Sequence, residues 1–338
     1  MRSLTPLLST LFFVGCSHAA TAPDAATPGD GGDAAIAGIA AKIDVGAAPH
    51  GLAVASDGTF LIATAFNDQS IAFVDTTALK VTNVVTIRQP GPVGVALTKD
   101  RARAFVSCEL AGTVTSIDVT SRTAKDTLSK LERPHGVALS PDETTLYVCN
   151  LGGNYVTAID TKTMSRIVDI TVGDSPDSVV VSADGSRLFV TNFAGTSKSS
   201  TVSIVDAVAK KELKAIEVGQ KPHGIALSPD GTRLYVSIEG SSEVVVIDPA
   251  AGAIVSRYKT GKSPHALGLQ PNGRTIWTGN LDDHSLTLID AATGVTSATL
   301  ALGASAAPHV IAFAPDGRRA FISNFFAREL LVVDVPNP

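Results

Sequence analysis

The sequence is short of charge, of positive charge above all, and of aromatic rings. Asp, Glu, Lys and Arg make up 17% of 338 residues, and 27 basic residues face 32 acidic ones, for a formal net charge of −5. Loss of Arg2 with a leader makes that one unit more negative. Such a surface offers little attraction to a polyphosphate backbone, and no nucleic-acid partner is expected. Aromatic residues are 5% of the chain against 44% hydrophobic residues in all, so a large core has to come from Val, Ile, Leu and Ala, the composition of strands. Local catalytic signatures are absent too: there is no Gly-x-Ser-x-Gly, no His-Glu-x-x-His, no phosphate-binding glycine loop and no Cys-x-x-Cys-His.

What the chain does have is a repeat. The stretch Lys221-Pro222-His223-Gly224-Ile225-Ala226-Leu227-Ser228-Pro229-Asp230-Gly231 returns in variants seven times. The residue after the turn proline marks each copy: His50, Val93, His135, Asp177, His223, His265 and His309, spaced 43, 42, 42, 46, 42 and 44 residues apart. An aspartate closes a β-branched run 25 residues after each marker, at Asp75, Asp118, Asp160, Asp248, Asp290 and Asp334; the fourth copy needs 29 residues to reach Asp206. In the fifth copy short apolar runs alternate with turn signals such as Ser228-Pro229-Asp230-Gly231 and Pro249-Ala250-Ala251-Gly252, which predicts a four-stranded antiparallel meander. Copy two, with Lys99-Asp100, lacks the turn glycine and proline. Copy seven ends after three strands, and the segment Ala37 to Val45 has the pattern of the missing fourth. A period in the low forties with strand content predicts one all-β domain, a seven-bladed β-propeller of four-stranded antiparallel blades over residues 34–338, its ring closed by the N-terminal strand.

Tyr147-Val148-Cys149-Asn150, Phe189-Val190-Thr191-Asn192 and Phe321-Ile322-Ser323-Asn324, each followed by a Val/Ile-Asp strand, resemble the YVTN-type β-propeller repeat. The resemblance covers residues 37 to 334 and implies the propeller fold. Propellers of this kind carry binding, scaffolding and enzymatic roles alike, so it implies no single function. At the N-terminus, Arg2 precedes the apolar run Leu4 to Val14, which is too short to span a bilayer and reads as a secretory leader over residues 1–16. Its end, Phe13-Val14-Gly15-Cys16, resembles a bacterial lipobox, which implies lipidation of Cys16; the alternative is ordinary cleavage after Ser17-His18-Ala19. Residues 17–33 are rich in Ala, Pro, Gly, Thr and Asp and read as a flexible tether. An exported monomer is expected, in the periplasm or on the outer surface, joined to the membrane through the lipid.

Five of the seven histidines occupy the marker position. Inner strands of a propeller line its channel, so His50, His135, His223, His265 and His309, with Asp177 and Val93, should ring the channel mouth on one face. The ring of inner strands, about 10 Å from the axis when sheets pack about 10 Å apart, is too wide for one axial ion to meet all five imidazoles. Two or three neighbours can hold zinc or copper. The alternative use is structural, each histidine capping its strand against the next blade. The loops between second and third strands open on the same face and bring Asn67, Asp68, Glu109, Asn150, Asn192, Glu239, Asn280, Asp282, Asp283, His284 and Asn324, and the insertion 195–200 lengthens one of them.

Cys108 and Cys149 lie one position out of register at the ends of the second strands of blades two and three, and so point to opposite faces of their sheets. Adjacent blades meet through opposite faces, so a disulfide between them and a pair of buried thiols are both open readings. Three functions fit the whole. One is a non-catalytic binding or scaffold propeller that takes a transition metal or small ligand at the channel mouth. The second is a propeller enzyme, a metal-dependent oxidoreductase or a lactone hydrolase. The third is a structural cell-surface repeat protein for protein partners.

Overall fold

The protein is described here by a computed structural model covering residues 38–194 and 200–335. Its strands form seven four-stranded antiparallel sheets, each the blade of a propeller. Six blades are continuous in sequence, beginning with Pro49–Val54, Pro92–Leu97, Pro134–Leu139, Pro176–Val181, Pro222–Leu227 and Pro264–Leu269. The seventh combines Pro308–Phe313, Arg319–Asn324 and Glu329–Asp334 with the N-terminal strand Ile39–Asp44. Lys42 lies opposite Leu331 and Ile43 opposite Leu330, so the predicted closure is the observed one. The leader, the tether and residues 195–199 of the blade-four insertion lie outside the described residues.

The second and third strands of each blade are apolar on both faces because each face packs on a neighbouring blade. Ile62 and Phe73 of blade one meet Val106 and Ile117 of blade two, and Phe321 and Val332 of blade seven meet Leu61 and Val74 of blade one, with Ile43 from the closing strand. Burying such a side chain contributes about 1.5–3 kcal/mol, so no blade is stable without its neighbours. Outer strands face solvent and alternate accordingly. The strand-end aspartates are turn-builders: Asp75 accepts the amides of Thr77 and Ala78, and Asp160 those of Lys162 and Thr163. Where blades two and three lack the turn glycine, Arg101 (φ 63°) and Glu143 (φ 61°) adopt the left-handed conformation held elsewhere by Gly58 and Gly231 (both φ 72°).

The repeated Pro-x-Gly has a packing cause. A Cβ on Gly224 would stand 2.6 Å from the Leu267 amide nitrogen and 3.1 Å from the His265 carbonyl oxygen of the next blade. On Gly51, Gly94 and Gly136 it would run into the neighbouring marker's carbonyl oxygen. A second-strand hydroxyl completes the latch in blades one, two, four and five. Thr64 accepts the Gly51 amide (2.8 Å) and donates to the Val93 carbonyl (2.8 Å); Ser237 likewise joins the Gly224 amide (2.9 Å) to the His265 carbonyl (3.1 Å). The latch therefore uses the marker's backbone and leaves its side chain free.

The disulfide reading is corrected. Cys108 and Cys149 are free, buried thiols. They do point to opposite faces, but Cys108 packs against blade one, with Ile62 and Phe73, and Cys149 packs against blade four, with Val179 and Leu188. Each turns away from the other's blade. Burial pushes the Cys108 thiol up to about 12 and the Cys149 thiol well above its ordinary value. Intact mass is therefore expected not to change on reduction, and both thiols should resist a thiol reagent until denaturant is added; a gain of about 2 Da on reduction (one hydrogen per freed sulfur) would contradict this. Gly94→Ala is expected to lower unfolding free energy by about 2–3 kcal/mol, read as a lower denaturant midpoint, because its Cβ meets fixed backbone. An unchanged midpoint would mean that the latch yields freely.

Candidate functional site

Each chain segment enters its inner strand through a kink. The residue before the strand's proline is left-handed in six blades: Ala48 (φ 53°), Gly91 (71°), Arg133 (53°), Ser175 (54°), Lys221 (56°) and Ser263 (53°). The next two residues are the proline and the marker, so the kink and the latch together aim the marker side chain inward. All seven markers line one central cavity of about 220 Å³, walled below by side chains such as Leu52, Val95, Val137, Ile225 and Leu267. His50, His135, Asp177, His223, His265 and His309 thus come together as the sequence predicts.

The imidazoles form a connected belt. Ring centroids are 3.8 Å apart for His223 and His265, 3.9 Å for His265 and His309, and 4.4 Å for His309 and His50. All five rings form one run, because His50 and His135 meet edge-on at 5.1 Å across the short Val93. Asp177 closes the circle. Its carboxylate lies 3.3 Å from His135 Nδ1 and 3.4 Å from His223 Nδ1, and it accepts the Ser178 hydroxyl at 2.8 Å.

A second tier stands 16 residues after each marker: Phe66, Glu109, Leu151, Phe193, Glu239, Leu281 and Phe325. Phe325 packs on His309 (4.5 Å) and His50 (5.9 Å), and Phe193 on His223 (4.8 Å). Glu239 Oε2 lies 3.4 Å from His223 Nε2 and 3.8 Å from His265 Nδ1, while Lys221 Nζ holds its other oxygen at 2.6 Å. From sequence Glu239 is one solvated loop residue among several; the constant offset of 16 marks its place in the blade but not its approach to His223 and His265. The other loop residues do not join the site. Asn150 and Asn280 are buried at the ends of their strands, bonding Thr157 and Thr287, and Asn324 accepts the Ala307 amide. His284 turns to the Ala306 carbonyl. Glu109 is bound by Arg133.

Electrostatics divides the belt. Burial alone would raise the Asp177 and Glu239 carboxyls, but the histidines beside them, with Lys221 at Glu239, hold both well below the usual carboxylate range. Burial alone would lower His223, yet Asp177 and Glu239 raise it to about 9. Burial first, and neighbouring imidazolium charge second, lowers His50, His309 and His265, the last to about 4. Nδ1 of His265 and of His309 is buried with no hydrogen-bond partner among the described residues. Ligand atoms of His223, Glu239 and His265 all lie within 4.8 Å of one another, the one such metal-competent group among the described residues.

Fold and site together define a seven-bladed β-propeller with a histidine-belted central cavity. The family model of the choice-of-anchor I domain matches residues 193–325, from the end of the second strand of blade four to that of blade seven. Among solved structures the chain is similar to hydrazine synthase of Kuenenia stuttgartiensis, at 21% identity and a TM-score of 0.79, over 89% of this chain and 99% of that one; the likeness is one of fold. No curated protein matches the sequence.

The shifted histidines set the pH dependence of the metal-free fold. A histidine whose folded value lies below the unfolded 6.5 binds its proton more readily when unfolded. Its contribution is therefore intact above about pH 6.5 and is lost as pH falls toward the folded value. For His265, falling to about 4 in the fold, that loss is about 2 kcal/mol between pH 7 and pH 5. His223 has the opposite sign: its contribution is present below 6.5 and lost as pH rises through about 9. Denaturant midpoints should peak near neutrality, and His265→Gln should flatten the acid limb. A level profile between pH 5 and 7 would contradict buried, uncharged His50, His265 and His309.

Proposed function

We propose that the chain is an exported binding propeller of the YVTN kind, led out by residues 1–16, held to a membrane through lipid on Cys16 and the tether 17–33, whose central cavity captures one zinc or copper ion. The observation that carries this reading is the spacing of three donors. Two ligands bound to one tetrahedral ion at 2.0–2.1 Å lie about 3.3–3.4 Å apart. His223 Nε2 and Glu239 Oε2 stand at 3.4 Å, and His265 Nδ1 at 3.8 Å from the same oxygen needs a shift of only a few tenths of an ångström. Asp177 takes the other nitrogen of His223, the outer partner that a metal-bound imidazole ordinarily has. Two imidazoles and a carboxylate suit zinc or copper and suit calcium or magnesium poorly.

The purified protein, incubated with zinc or copper and freed of loose metal, should retain close to one equivalent by elemental analysis. His223→Ala, His265→Ala and Glu239→Gln should each lose it with the circular dichroism of the fold unchanged. Asp177→Asn, which removes an orienting group, should weaken binding by about 10–100-fold. Equal retention by all four variants, or none by the parent, would overturn the reading.

A further inference from the structure

We propose that the ion held by His223, Glu239 and His265 keeps a coordination position open to the central cavity and there binds a small anion of a few heavy atoms, such as a simple carboxylate or a triatomic anion; this rests on the metal reading above. The three donors come from two adjacent blades, five and six: His223 and His265 line one wall of the cavity, and Glu239 reaches them from the loop that follows the second strand of blade five. Three protein ligands leave a tetrahedral ion one position short, and the open space beside the two imidazoles is the cavity they line. In a seven-membered ring the wall opposite blades five and six is blade two, where Val93 lines the cavity between His50 and His135. Those two rings meet edge-on at 5.1 Å above an apolar floor.

Size and polarity narrow the ligand. At about 220 Å³ the cavity is below the roughly 300–1,000 Å³ of sites for drug-sized molecules, so sugars, nucleotides and peptides are too large to sit on the ion. Phe325 on His309 and Phe193 on His223 narrow the mouth further. A divalent ion with Glu239 leaves one positive charge, balanced at a distance by Asp177 on the far side of His223. A monoanion therefore meets the cation directly and Asp177 only through an imidazole. Its distal atom reaches the remaining imidazoles, each of which, when neutral, offers one N–H. His309 Nδ1, buried and without a hydrogen-bond partner among the described residues, is one such group.

The test uses the copper-loaded protein and azide as probe, with copper measured in the same sample. Binding of azide should produce a new charge-transfer absorption that saturates at one azide per copper. Val93→Phe fills the cavity opposite the ion without touching a donor; it should keep its copper and bind azide at least tenfold more weakly, with Val93→Leu intermediate should the larger ring hinder folding. Bulky benzoate should fail to displace azide, whereas formate should displace it. Copper retained with no azide band, or a band unaffected by both Val93 variants, would overturn the open position while leaving the metal site standing. No copper retained would overturn the metal reading itself.

Discussion

The contact on which the structure depends is the one between consecutive inner strands. In blades one, two, three and five a glycine after the marker lets the next blade's carbonyl approach closer than any Cβ permits, and in blades one, two, four and five a second-strand hydroxyl ties that carbonyl in place. Both partners of the latch are backbone or second-strand atoms. The side chain between proline and glycine is consequently spare, and the left-handed residue two positions earlier turns it toward the axis. Holding a non-glycine residue such as Arg133 or Lys221 in that conformation costs about 1–2 kcal/mol, which interblade packing on the scale of several buried aliphatic side chains readily outweighs. The imidazole belt is thus a by-product of a joint that any propeller of this pattern needs; what is particular to this chain is which side chains fill it.

Those side chains are unevenly distributed. Blades three to six carry His135, Asp177, His223, Glu239 and His265, a linked run of acid and imidazole. Blades seven, one and two carry His309, His50 and Val93, with Phe325 packed on the two imidazoles and Phe66 packed on Phe325. The low-dielectric side keeps its histidines uncharged, and the acidic side charges His223. One cavity therefore presents neutral nitrogen donors on one arc and fixed charge on the other.

Much of this was legible in the sequence because it is repeated. The markers, the strand-end aspartates and the closing segment Ile39–Asp44 all follow from counting residues, since a blade that cannot bury its own faces must recur at a fixed interval. Counting fails where the repeat does not constrain identity. The position 16 residues after the marker is filled by Phe, Glu or Leu in turn, so nothing distinguishes Glu239 until its loop is seen to lie between His223 and His265. Strand alternation correctly sends Cys108 and Cys149 to opposite faces, but which face meets which neighbour is set by the direction in which the ring winds, and that choice separates them. The asparagines Asn150 and Asn280 look like loop residues yet end their strands, where their amides satisfy buried polar groups.

Blade two supplies an internal comparison for the site. Glu109 holds the same place in its blade as Glu239 does in blade five, between two markers at the cavity mouth. There the first marker is Val93, and the Arg133 guanidinium donates from two nitrogens to one carboxylate oxygen, Oε1, at 2.5–2.9 Å. A carboxylate at this position is therefore not sufficient for a donor set; it needs an imidazole on each side. In blade five Lys221 binds only Oε1, and Oε2 remains turned toward His223 and His265. In both blades the neighbouring cation takes Oε1 alone, so the cation does not separate the two carboxylates. The difference between a structural ion pair and a metal-competent group thus comes down to one residue, the marker that precedes the carboxylate: Val93 in blade two and His223 in blade five.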